Sequence, residues 1–159
     1  MKQLLLVSWL LSLSAILGLP EVKADVRMPL IFGNHMVLQQ DTRITIWGWA
    51  DAGENIEVLF AGQKVRTTAN ADGTWQVKLK PVKTKKKGET LTITGKNKLV
   101  YSDVLVGDVW VASGQSNMEW GIKVRKEYAD DIAHSEDSLL RLFFVPKNTS
   151  LQPLSEIEI

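Results

Sequence analysis

The sequence predicts a mainly β protein, an antiparallel β-sandwich followed by the opening part of an α/β unit. Two observations predict the sandwich. Apolar and polar residues alternate with period two over much of residues 25–105, and turn-forming clusters interrupt that alternation every ~8–12 residues. A third observation predicts the change of fold: near Gly107 the alternation gives way to a continuous apolar run, a glycine turn and helically spaced apolar residues.

The first element is a leader. Lys2 supplies a positive start, residues 4–19 are apolar apart from scattered serines, and Val22-Lys23-Ala24 offers a small-residue cleavage site before Asp25. The apolar run falls short of the ~20 residues that span a bilayer comfortably. Residues 1–24 are therefore read as a signal peptide, which implies a periplasmic or secreted protein with no stable membrane insertion after cleavage. The absence of cysteine excludes disulfides, thiol catalysis and cysteine-ligated zinc.

Strands follow. Ile44 and Ile46 alternate with Thr45 and Trp47, and Ile56, Val58 and Phe60 share a face. Trp75, Val77 and Leu79 oppose Gln76, Lys78 and Lys80, and Leu91 and Ile93 alternate with threonines. Asp51-Ala52-Gly53, Ala61-Gly62, Asn70-Ala71-Asp72-Gly73 and Gly95-Lys96-Asn97 are the turn signals, with Asp72-Gly73 read as the clearest hairpin. Lys83, Lys85, Lys86 and Lys87, followed by Gly88, read as a charged hairpin loop rather than a polyanion site. Trp47 and Trp49 fall on the face opposite Ile44 and Ile46. They are read as packing against the second unit, with stacking on a sugar ring as the alternative.

Residues 109–112 form an unbroken apolar run, the pattern of a short strand covered on both faces as in a parallel sheet. Gly114 permits a sharp turn, and Ser116 is presented just past the strand's C-terminal end, where open α/β sheets build their sites. Val124, Tyr128 and Ile132, with Ala129 and Ala133 beside them, recur at helical spacing. Residues 137–140 read as a loop and 141–145 as a strand ended by Pro146. Strand, turn, helix and strand begin a βαβ unit. The domain boundary is expected near 103–107, giving a sandwich over 25–105 and an incomplete α/β domain over 106–159.

A net charge of +1 provides no field to attract nucleic acid. His35 and His134 are the only imidazoles. Neither has an aspartate at triad spacing, so both are read as surface or locally hydrogen-bonded side chains. No metal-ligand spacing and no phosphate-cradling glycine loop is present, so no metal and no cofactor is expected.

Gly114-Gln115-Ser116-Asn117-Met118, flanked by Asp108-Val109-Trp110 and Glu119-Trp120, resembles the nucleophile block of the sialate O-acetylesterase family, a branch of the SGNH hydrolases. Met36-Val37-Leu38-Gln39-Gln40, Arg141-Leu142-Phe143 and Val145-Pro146 also resemble that family, so the likeness covers roughly residues 27–146. Met118 stands where the G-x-S-x-G elbow of α/β-hydrolases has its second glycine, which favours the SGNH arrangement. The resemblance implies that Ser116 is a nucleophile attacking an acetyl ester, with its own N–H contributing to an oxyanion hole.

Asn117, Glu119 and Trp120 are candidate substrate-binding residues. Each has a plainer alternative, as a turn asparagine, a solvated carboxylate and a packed indole respectively. The triad's Asp and His are implied to lie in blocks beyond Ile159, so the chain reads as the opening part of a serine esterase, inactive alone. The implied partner is an acetylated sugar, sialic acid or a related glycan. Two alternatives remain open: an acetylxylan-type esterase of the same family, and a non-enzymatic glycan-binding β-sandwich.

Overall fold

The computed structural model describes residues 25–119, 121, 126–147, 149–154 and 156. The predicted leader, Val124 and Trp120 lie outside the described residues. Among the described residues seven strands form in chain order: β1 (Val37–Gln39), β2 (Ile44–Trp49), β3 (Asn55–Phe60), β4 (Gln63–Thr68), β5 (Thr74–Leu79), β6 (Lys85–Thr94) and β7 (Lys98–Gly107). They build a five-stranded sheet in the order β1-β7-β6-β3-β4 and a two-stranded sheet of β2 and β5. Every pairing is antiparallel except that of β1 with β7, which is parallel.

The core is the set of inward faces that the alternation marks. Ile44, Ile46, Trp75, Val77 and Leu79 come from the smaller sheet, and Ile56, Val58, Phe60, Leu91, Ile93, Val104 and Val106 from the larger, in one buried cluster. Within the small sheet Ile44 sits opposite Leu79, Ile46 opposite Val77, and Gly48 opposite Trp75. A Cβ at Gly48 would collide with the Arg27 carbonyl oxygen and crowd the Trp75 ring at 3.2 Å, so the glycine admits both the segment before β1 and the indole. Outward positions such as Lys78 and Gln76 remain exposed, so a one-residue slip would invert the sheet's two faces.

The turns divide into those that join hairpin partners and those that do not. Ala61 (φ 49°) and Gly62 (φ 73°) link β3 to β4. Two successive positive φ values match the twist of a tight hairpin, and glycine adopts them at no steric cost. Residues 95–97 join β6 to β7. Their loop is fastened from two sides, by Glu54, whose carboxylate accepts the Lys96 N–H at 2.6 Å, and by Asn97, whose carboxamide exchanges two 2.9 Å bonds with the Val26 backbone.

Asp72-Gly73 corrects the expectation. It is a genuine turn, with Asp72 Oδ1 accepting from the Thr74 N–H at 2.9 Å and from its hydroxyl at 2.7 Å. Those bonds, the Thr74 hydroxyl foremost, hold the Asp72 carboxyl below the usual aspartate range. Yet it joins β4 of the large sheet to β5 of the small one, and β5 pairs with β2 instead. Turn chemistry fixes the local bend, whereas the choice of partner follows burial of the Trp75, Val77 and Leu79 face against Ile44 and Ile46.

The basic run is also corrected. Lys85, Lys86 and Lys87 begin β6 itself rather than a loop. Irregular register between Lys85 and Leu91 marks a bulged region of β6 against β7, where Asp103 adopts φ 52°. Trp47 and Trp49 do lie outward from the small sheet, half-buried and edge-to-face at 5.6 Å. Their cover comes from the segment before β1: Phe32 packs on Trp47 at 6.1 Å, and the Arg27 guanidinium lies 4.2 Å over the Trp49 ring.

Val77 is 4% exposed within this core, and Lys78 beside it is on the open face. Burying an apolar side chain of this size is worth ~1.5–3 kcal/mol, and an unpaired buried carboxylate costs more. Val77→Asp is therefore expected to abolish the cooperative thermal transition. Lys78→Asp should leave the melting temperature nearly unchanged, and equal losses from the two would show that the assigned faces are wrong.

Candidate active site

β7 leads directly into the serine-bearing block. Val104, Leu105 and Val106 are all buried at its end, and only Val104 and Val106 belong to the sandwich core, so both faces of the strand are closed there. Regular pairing stops at Gly107. Residues 109–112, expected as a buried parallel strand, are instead unpaired and exposed, with Val109 at 50%, Trp110 at 88% and Val111 at 91%. A strand buried on both faces needs neighbours alongside and layers above and below, and no described residue of this chain supplies them.

Ser116 opens a single 3-10 turn, Ser116–Glu119, closed by the Met118 N–H donating to the Gln115 carbonyl at 2.9 Å. Gly114 matters here through space rather than backbone angle. A Cβ at this position would lie 2.6 Å from Met118 Cγ, so the methionine folds over the glycine to compact the turn. Ser116 is exposed. Asn117 and Glu119 share its turn, but the described part of each is the backbone.

Downstream, the described part of the expected helix is a 3-10 turn, Lys126–Tyr128, running into a short helix, α1 (Ala129–Ala133). Residues 137–140 form a turn, as the loop reading expects, with the Leu140 N–H donating to the Asp137 carbonyl at 3.2 Å. The strand expected over 141–145 does not form. Leu142, Phe143, Phe144 and Val145 are 53–89% exposed and unpaired, for the same reason as residues 109–112.

Neither histidine meets the serine. The His134 ring Nδ1 is 2.8 Å from the Asp130 carbonyl oxygen on its own helix, a local bond of the kind expected. His35 has a partner that sequence spacing conceals: its Nδ1 lies 2.7 Å from Asp103 Oδ2, 68 residues away in the chain. The same carboxylate oxygen accepts from Arg141 Nη2 at 2.8 Å. His35 (φ 63°) and Asp103 (φ 52°) are both non-glycine residues in the left-handed region, so the surrounding structure holds them against a backbone preference. The Ser102 amide and hydroxyl both donate to Asn34 Oδ1, at 2.8 and 3.1 Å, and keep the two segments in register.

The contact with His35 first, and the charge of Arg141 next, hold the Asp103 carboxyl below the usual aspartate range. A lowered folded-state value means that the favourable interaction is complete above the ordinary aspartate range and fades as pH falls through the lowered value. His35→Ala is expected to move the Asp103 titration midpoint upward, read from its carboxyl carbon by NMR. An unchanged midpoint would remove His35 as the main cause.

No family model matches the chain. It is 32% identical over 141 residues to the sialate O-acetylesterase of Mus musculus, which takes in 79% of this chain and 26% of that protein. The Rattus norvegicus sialate O-acetylesterase is 34% identical over the same length. Among solved structures, a carbohydrate acetylesterase from Xanthomonas citri superposes with a TM-score of 0.78 at 36% identity, covering 84% of this chain and 31% of that one. The chain thus spans about a quarter to a third of the length of the proteins it matches. Over most of its own length, this chain is a relative of the sialate O-acetylesterases, matching one segment of them.

Proposed function

We propose that this chain provides the nucleophile-bearing segment of a carbohydrate O-acetylesterase, with Ser116 as the nucleophile. The observation that supports it is the direct run from the closed end of β7 into the exposed turn of Ser116, in a segment similar to acetylesterases in both sequence and fold. The serine Oγ adds to the acetyl carbonyl as a base takes its proton. Collapse of the tetrahedral adduct expels the sugar alcohol and leaves an acetyl-serine, which water hydrolyses to acetate. The Ser116 N–H serves the oxyanion, and Asn117, Glu119 and Trp120 border the sugar. The substrate is an O-acetylated sugar, sialic acid or a related glycan.

In the same reading, residues 25–105 are a sandwich domain and 106–159 open an α/β esterase domain. The exposed apolar side chains of Trp110, Val111, Leu142 and Phe144 are then the surface that the rest of that domain covers. Residues 1–24 are a signal peptide that directs the protein to the periplasm or medium. Intact mass of exported material should begin at Asp25, and retention of the leader would count against export.

Two experiments test the esterase reading. The chain alone, given a nitrophenyl acetate, should release acetate no faster than its Ser116→Ala variant, because no described imidazole reaches Ser116. Grafted in place of the matching segment of the Xanthomonas citri acetylesterase, the chain should support turnover that Ser116→Ala lowers by several orders of magnitude. Undiminished turnover in that Ser116→Ala chimera would falsify the nucleophile assignment.

A further inference from the structure

We propose that Gln39 and Gln40 are positioning residues for the Ser116 turn, their carboxamides extending the register of the sandwich past the end of β7 into the serine-bearing stretch. The proposal rests on the reading of Ser116 as nucleophile and adds the device that aims it.

Backbone pairing between β1 and β7 ends where Gln39 faces Gly107. One more backbone bond follows, from the Gln40 N–H to the Gly107 carbonyl at 2.9 Å. Side chains then take over. The Val109 N–H donates to Gln39 Oε1 at 2.8 Å, and Gln40 Nε2 donates to Asp108 Oδ1 at 3.1 Å. The other end of each carboxamide is also engaged. Gln40 Oε1 accepts the Thr84 N–H at 3.3 Å, just before β6, and Gln39 Nε2 donates to the Gln40 carbonyl at 3.4 Å.

This pattern requires glutamine at both positions. Each side chain must donate from one atom and accept at another, which a carboxylate, an ammonium or an alkyl group of similar length does not do. The placement gives the pair its leverage. Among the described residues, 110–114 make no hydrogen bond of their own, so Val109 is the last anchored residue before the Gln115–Met118 turn. The bonds at Asp108 and Val109 therefore set the point and direction from which residues 110–114 carry the chain to Ser116. Catalysis by a serine depends steeply on such placement.

The test uses amide exchange and chemical shifts in this chain, with designed partners. Q40E sets a second carboxylate against Asp108, and like charges at that range repel. The double variant Q40E/D108N restores the bond with donor and acceptor exchanged. Q40E and Gln39→Ala should each accelerate exchange at Val109 about fivefold, the scale of one net hydrogen bond, and broaden or shift the amides through Ser116. The melting temperature of the sandwich should stay put.

Q40E/D108N should return the parental pattern. Unchanged Val109 in both single variants, loosening shared equally by β6 and β7, or no rescue by D108N would each overturn the positioning role. Full acetyl release by the Ser116→Ala chimera would instead remove the nucleophile and leave the exchange result standing, so the two failures are distinguishable.

Discussion

β7 has to satisfy two demands at once, and the rest of the molecule is arranged around that. It pairs with β6 from Lys98 as far as Val106, and its last residues also receive β1 as a parallel neighbour on the other side. Val104 and Val106 must enter the sandwich core while Leu105, between them, is buried on the other side. A one-residue slip of such a strand would exchange its two faces, turning Leu105 into the core and Val104 and Val106 out of it. The point at which the chain leaves the sheet is thereby fixed, and the serine-bearing turn inherits its origin from it.

What the sequence makes legible here is which way each side chain faces. Alternation identifies the inward residues of β2, β3, β5 and β6 because burial acts on every second residue and needs no knowledge of partners. Partner choice is a different kind of information. Asp72-Gly73 advertises a bend with full chemical justification, and the bend exists, yet β5 crosses to the other sheet because its apolar face fits Ile44 and Ile46. The lysines at 85–87 mislead for a related reason. Charge says only that they face water, and an exposed strand end satisfies that as well as a loop does.

The site divides along the same line. Ser116, its turn and the glycine beneath Met118 form within a few residues, so a local motif can reveal them. The contact between His35 and Asp103 depends on parallel pairing across 68 residues, and nothing in the spacing of either residue signals it. A usable hint was present in the Met36–Gln40 motif: a resemblance concentrated in five residues so far from the serine implies a spatial reason for both. Residues 109–112 and 141–145 miss their expected strands because β structure is a property of neighbours. An apolar run of this kind states a requirement for cover that the described chain does not itself fulfil.

The parallel contact of β1 with β7 also dictates an order of events during synthesis. Gln40 leaves the ribosome 68 residues ahead of Asp108, and β2 to β6 can pair among themselves in the interval. Contacts that close so long a loop form late, after shorter-range pairings have reduced its entropy. β1 is thus an early-made strand that waits at the sheet edge for a late-made one. The serine-bearing stretch acquires its fixed base only once the sandwich is complete, so a nascent or misfolded sandwich has no anchored Ser116 turn to present.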